Sequence, residues 1–255
     1  MFSSKDGANH LKKVEGVSGA QARKVASMAG SQSIRQMAEI ALLDQKTLDA
    51  KKILGPGTKD KAFLNTFREI RTKLVQVSNK QNFVALVNSV VEGGGGSFTA
   101  ANLAAVFALD KSKTALLVDC NLYEPSLDKL FDLQPEYGLT DYLEDPSLDI
   151  DDIIYATGVE RLRLIPAGSF REAGAEYFSS ERMANFLAAV ASRYPDRYIF
   201  IDAPPAAESA EGRIVAELSD YGIVVVPYGK VTTQQVNNTI EAIGKDKVVG
   251  VVFNN

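Results

Sequence analysis

The chain has 255 residues, 45% of them hydrophobic, and a formal net charge of −4. That is enough for one sizeable core, and the charge is too mild to imply broad electrostatic binding to nucleic acid or to an anionic membrane. The single cysteine, Cys120, excludes an internal disulfide framework, and the single histidine, His10 in a polar N-terminal stretch, argues against a His/Cys metal site or a serine–histidine–aspartate triad.

No run approaches the roughly 18 apolar residues of a membrane span. The opening "MFSSKDGANHLKKVEGVSG" lacks the apolar core of a signal peptide, so the protein is expected in the cytoplasm. Residues 1–58 are polar and rich in alanine and serine, and they break at "LGPGTKD". They are expected to form an extension or linker, with "SIRQMAEIALL" as a short amphipathic helix. From residue 59 to 255 the pattern becomes regular. "KAFLNTFREIRTKLVQV" places Phe63, Phe67, Ile70 and Leu74 on one helical face. "NFVALVNSV" reads as a buried strand, and "SFTAANLAAVFALD" as a helix with Leu103, Val106 and Phe107 at helical spacing. "TALLVDC", "LRLIPAG", "RYIFIDAPP", "YGIVVVPYG" and "KVVGVVFNN" read as further buried strands. "SSERMANFLAAVASRY" and "TTQQVNNTIEAIG" read as helices between them. Continuous apolar strands alternating with helices predict an α/β fold, a mostly parallel sheet covered on both faces.

Ligands of such sheets bind at the C-terminal ends of the strands. Three strands end there in chemically suggestive residues: the glycine run after Val91, Asp119 after "ALLV", and Asp202 after "YIFI". Gly93, Gly94, Gly95 and Gly96 can all take positive φ and turn backbone N–H groups inward beside a helix N-terminus. That makes an anion nest without any side chain. Ser97 stands where a phosphate loop puts its magnesium-binding hydroxyl, and Thr99 follows in the first helical turn. The bland reading of four glycines is a flexible connector, and that of Asp119 and Asp202 is helix capping. No G-x-G-x-x-G stands ahead of an acidic ribose ligand, which argues against a dinucleotide oxidoreductase.

"SVVEGGGGSFTAANLAAVFA" resembles the phosphate loop of the bacterial tyrosine kinases that control capsule and exopolysaccharide assembly, relatives of the MinD/ParA-type ATPases of cell division and plasmid partition. The resemblance continues in order through "TALLVDCNLYEPSL", "LRLIPAG", "YIFIDAPPA" and "VVGVVFNN", over roughly Lys59 to Asn255. It implies a P-loop NTPase-like domain over 59–255. It also implies a nucleotide site on Gly93 to Gly96, Ser97, Phe98 and the adenine-side Asn254, with Mg on Ser97, Asp119 and Asp202. "FREIRTKL" is similar to the family's oligomerisation helix, with Arg68 and Arg71 in place and Asn65 where that motif opens with glutamate.

The departures all point one way. The family's phosphate-loop lysine is Gly96, its loop proline is Glu92, and the second of two aspartates after the second strand is Asn121. Tyr123 and Glu124 stand where arginines usually follow. Losing the lysine removes a charge-assisted contact of about 1.5–3 kcal/mol, about ten- to a hundredfold in binding. Glu92 adds repulsion, and Asn121 cannot serve as a general base. The chain ends at Asn255 without the family's tyrosine cluster, and Tyr221 and Tyr228 flank a strand as sheet-edge packing. What the resemblance implies, with these losses, is a pseudokinase-like member: cytoplasmic, peripheral at the inner membrane through a Wzz-like chain-length regulator, self-associating, with ATP or ADP and Mg binding weakened. The alternatives are an active tyrosine autokinase that borrows a cation for the lysine, with Lys111, Lys113 and Arg171 not placeable from sequence, and a MinD/ParA-type positioning ATPase-like protein.

Overall fold

The computed structural model describes residues 42–170, 174–193 and 196–255. His10, Arg171 and nearly all of "SIRQMAEIALL" lie outside the described residues. The apolar runs fold as strands: β1 (Val84–Ser89), β2 (Thr114–Asp119), β3 (Tyr155–Ala156), β4 (Leu162–Ile165), β5 (Arg197–Ala203), β6 (Tyr221–Pro227) and β7 (Val248–Asn254). They form one seven-stranded sheet in the order β3-β4-β2-β5-β1-β6-β7. Every pairing is parallel except β3 with β4. β1, β2 and β5 lie in the middle and are buried at every position, which is why their sequences show no polar alternation. β3, a two-residue antiparallel edge, is too short to leave a sequence signal.

Alternate residues along the strands feed two cores. Ala85, Val87, Ile223 and Val225 face one, shared with the helices Lys61–Val77 and Gly96–Ala108. Val84, Leu86, Val224 and Val226 face the other, under the helices Glu181–Arg193, Ala210–Leu218 and Thr233–Ile243. The helix Gly96–Ala108 is buried on every residue from Thr99 onward. Ala100, Ala101, Ala104, Ala105 and Ala108 let it lie close to the sheet, and an all-round apolar helix is the kind that belongs inside. The helix Lys61–Val77 starts at Asp60, whose carboxylate accepts the N–H of Phe63. It buries Leu64, Phe67 and Leu74, while Phe63 and Ile70 are partly buried against the same core.

The packed body begins ahead of the expected boundary at 58/59. A short helix, Gln45–Ala50, leads into Ile53 and Leu54, and Leu48, Ile53 and Leu54 belong to the main core. Buried Asn102 fastens this segment: its Oδ1 accepts the N–H of Leu54 at 2.9 Å, and its Nδ2 donates to the carbonyl of Lys52 at 3.1 Å.

Candidate functional site

At the C-terminal end of β1 the chain turns through Val91–Gly95 into the helix Gly96–Ala108. Gly93 has φ 65° and Gly95, the residue ahead of the helix, φ 91°, both in the left-handed region. No side chain caps this helix. Its first N–H groups therefore have no intrahelical acceptor and point toward the loop, the geometry of an anion site. The glycines are not equivalent. A Cβ on Gly94 would run into Ser89 Oγ, and one on Gly95 into Asn254 Nδ2. A Cβ on Gly96, in contrast, would meet only ordinary contacts: 3.4 Å to Asp202 Oδ1, 3.4 Å to Ser89 Cβ and 3.5 Å to Ser89 N. Close packing disfavours a side chain at 94 and 95 and leaves room for one at 96, where the resemblance expects a lysine.

Asn254 lies at the end of β7 and donates Nδ2 to the carbonyl of Gly94 at 3.1 Å, tying the edge strand to the loop. Thr99 Oγ1 donates back to the carbonyl of Gly95 at 2.8 Å. Phe98 stacks near Phe63, with ring centroids 6.1 Å apart. It faces a second cavity of about 600 Å³ between the helix Lys61–Val77 and the end of β7, lined by Lys52, Lys59, Phe63, Phe253 and Asn254 among others. Sequence reading does not find this cavity, because its walls come from four separate segments.

Asp119 and Asp202 are register partners across β2 and β5 and are both buried. Asp119 accepts the N–H of Asn121 at 2.9 Å and of Leu127 at 3.4 Å, so its carboxylate organises the loop after β2. Burial, and then the charge of Asp202, push its pKa well above the ordinary carboxylate range. Asp202 is also raised, chiefly by burial, against the opposing effect of hydrogen bonds from Ser97 and the Ala203 backbone. Asp202 Oδ2 and Ser89 Oγ are buried without a hydrogen-bond partner among the described residues.

The cleft over the loop has a volume of about 330 Å³. Its lining includes Ser89, Glu92, Gly93 to Gly96, Ser97, Phe98, Asn121, Glu124 and Asp202, and no lysine or arginine among the described residues. Lys111 and Lys113 precede β2, at the opposite end of the sheet, and Lys113 reaches Asn82 and lies over the ring of Tyr198. Asn121 Oδ1 accepts the N–H of Glu124 at 3.2 Å. Tyr123, in place of an arginine, donates its hydroxyl to Glu211 at 2.7 Å and packs edge-on to Phe170.

The residues partly fit a magnesium ion. The hydroxyl of Ser97 and the unpartnered oxygen of Asp202 are hard donors at the mouth of the loop. Asp119 lies behind them with its oxygens engaged by backbone, and it does not line the cleft. Among the described residues no three His, Cys, Asp or Glu side chains converge as a metal-holding group. Arg68 is exposed on the helix Lys61–Val77. Arg71 is held within its own chain, 2.9 Å from Asp110 and over the ring of Phe107. No helix among the described residues is long and apolar enough to cross a membrane.

No family model matches the chain. The tyrosine-protein kinase YwqD of Bacillus subtilis (strain 168) is 31% identical over 191 residues, 74% of this chain and 79% of that protein. The tyrosine-protein kinase CpsD of Streptococcus agalactiae serotype III (strain NEM316) is 29% identical over 221 residues, 86% of this chain and 89% of that protein. Among solved structures, the BceF tyrosine kinase domain superposes with a TM-score of 0.68 at 25% identity, over 85% of this chain and 91% of that one. A ParA family ATPase and the cell-division ATPase MinD share the fold at 21% and 18% identity, with TM-scores of 0.53 and 0.52. The glycine loop at the end of β1, the paired aspartates on β2 and β5, and these relatives together show that the chain belongs to the bacterial tyrosine kinase family.

Proposed function

We propose that this protein serves capsule or exopolysaccharide assembly as a binding component of the tyrosine kinase fold with phosphoryl transfer disabled. The observation that carries the reading is the charge of the cleft: among the described residues its lining supplies Glu92, Glu124 and Asp202 and no cationic side chain. Phosphoryl transfer needs cations to neutralise the β- and γ-phosphates and a base to take the acceptor's proton. Gly96 supplies no cation, and Asn121 no base.

The loop backbone keeps its anion-binding shape, so ATP or ADP binds weakly and depends on magnesium. A bound magnesium ion would neutralise phosphate charge; Ser97 and Asp202 are the residues that would hold it. The cavity beyond Phe98 takes the nucleobase, with Asn254 at the junction. In the cell the protein docks on an inner-membrane chain-length regulator and self-associates through the exposed face of the helix that carries Arg68. Binding and release carry the signal.

The test is complementation of a deletion strain. Asn121→Ala, which removes the side chain at the base position, restores polysaccharide to the wild-type level. Phosphotyrosine formed by the wild-type protein in the complemented strain would mean that the cleft performs chemistry.

A further inference from the structure

The cleft has one part that suits a diphosphate and another that repels a third phosphate. The first part is the backbone of Gly93 to Gly96, at the uncapped N-terminus of the helix Gly96–Ala108. Ser89 and Asp202 line the cleft as well, 7% and 2% exposed. Ser89 Oγ and Asp202 Oδ2 are buried there without a hydrogen-bond partner among the described residues. Unmet buried groups of this kind call for a polar ligand. The second part comes from the loop after β2, which brings Asn121, Glu124 and Ser126 to the lining, and from Glu92 in the glycine loop. Asn121 Oδ1 accepts the N–H of Glu124, so these two residues are tied in one turn. Beyond Phe98, the cavity of about 600 Å³ sets Phe63, Phe98 and Phe253 beside Asn254.

These linings sort ligands by their terminal group. A terminal phosphate monoester carries about two negative charges near neutral pH, and Glu92 and Glu124 repel it with no cation in the lining to offset them. The same phosphate esterified to a sugar carries less charge and ends in neutral hydroxyls. Hydroxyls donate strongly to carboxylates and bond readily to amide and hydroxyl side chains. We infer that the ligand this cleft selects is a nucleoside diphosphate sugar rather than a nucleoside triphosphate. The base enters the aromatic cavity, the diphosphate lies on the glycine N–H groups, and the sugar hydroxyls meet Asn121, Glu124 and Ser126. No bond is made or broken. The acidic and amide side chains that count against phosphoryl transfer are the ones that hold the sugar. The inference rests on the reading of the cleft as disarmed for phosphoryl transfer, and it makes occupancy a report on the supply of glycosyl donors.

The test is calorimetric titration of nucleotide-free protein, with and without magnesium, using ligand sets that share a base. The sets are ADP-glucose, ADP and ATP; UDP-glucose, UDP and UTP; and GDP-mannose, GDP and GTP. Within a set only the terminal group changes. The expected result is that at least one sugar conjugate binds about tenfold or more tightly than the triphosphate of its own set. Glu124→Gln weakens that conjugate several-fold and strengthens the triphosphate, because it removes a hydroxyl acceptor and a repelling charge together. Glu136→Gln, which lies in another pocket, changes neither. Circular dichroism confirms that each variant is folded. If no sugar conjugate binds more tightly than its triphosphate, the inference is overturned. It is overturned equally if Glu124→Gln strengthens both ligands, since the carboxylate would then only repel charge. Phosphotyrosine formation from ATP by the wild type would overturn the disarmed-cleft reading instead, so the two failures are distinguishable.

Discussion

Gly96→Lys restores the one side chain whose loss decides how the cleft is read. The backbone accepts it: Gly96 is not among the positive-φ residues, and a Cβ there stands no closer than 3.4 Å to its neighbours. Replacing glycine in a helical first turn also removes backbone entropy from the unfolded chain, so the variant is expected to be at least as stable as the parent, by up to about 1 kcal/mol. The new ammonium group lies beside Asp202 and reaches any phosphate held by the loop N–H groups. A charge-assisted hydrogen bond contributes about 1.5–3 kcal/mol, so affinity for ATP with magnesium should rise about ten- to a hundredfold. Glu92 and Glu124 remain and hold the gain toward the lower end. Calorimetric titration with ATP and ADP, with and without magnesium, reads this directly. A folded Gly96→Lys protein with no gain in affinity would refute the reasoning, because the loop would then lack the phosphate-binding shape ascribed to it.

Other expectations follow from the buried groups. Burial raises the carboxyl pKa of Asp202 from 3.8 to about 7 and that of Asp119 well above 3.8. The folded state therefore binds protons more tightly than the unfolded one, so stability is greatest below pH 4 on this account and falls as pH rises through 7, by on the order of a few kcal/mol. Urea unfolding in EDTA at pH 5.5 and pH 8 should show the loss, and Asp202→Asn should remove much of it. Asn102→Ala deletes the acceptor for the Leu54 N–H and the donor to Lys52, leaving buried backbone groups unpaired, and should cost about 1–3 kcal/mol by the same assay. Arg71→Ala should cost about 1 kcal/mol of stability through the lost, partly exposed Asp110 pair and the contact with buried Phe107. Arg68→Ala should leave stability unchanged and weaken self-association in sedimentation velocity; the reverse pattern would place Arg71 in the subunit contact.

Where the sequence was legible, the reason was burial. β1, β2 and β5 are covered on both faces, so their apolar runs stand out, and the helix Lys61–Val77 was readable from its spacing although Leu64 joins its buried face unannounced. β3 was not legible because two residues carry no period. The segment 48–54 was not legible because it packs through a few residues, and through an asparagine 48 positions away from the N–H it binds. At the site, the glycine run, Ser97 and Asp202 were brought together as the motif order implies, and Asn254 reached the loop. Asp119 took a different place: backbone N–H groups occupy it, a partnership set by the turn after β2 that no spacing rule reveals. The unpartnered Ser89 Oγ was invisible in sequence, since a serine ending a strand is unremarkable until its surroundings are known.

The most direct measurement is phosphoryl transfer from radiolabelled ATP with magnesium to a tyrosine-containing peptide, comparing the wild type with the double variant Gly96→Lys, Asn121→Asp. No phosphotyrosine above background is expected from the wild type, because among the described residues the cleft's lining supplies neither the cation nor the base. Ready phosphotyrosine formation by the purified wild type would contradict it and would show that another group replaces the lysine.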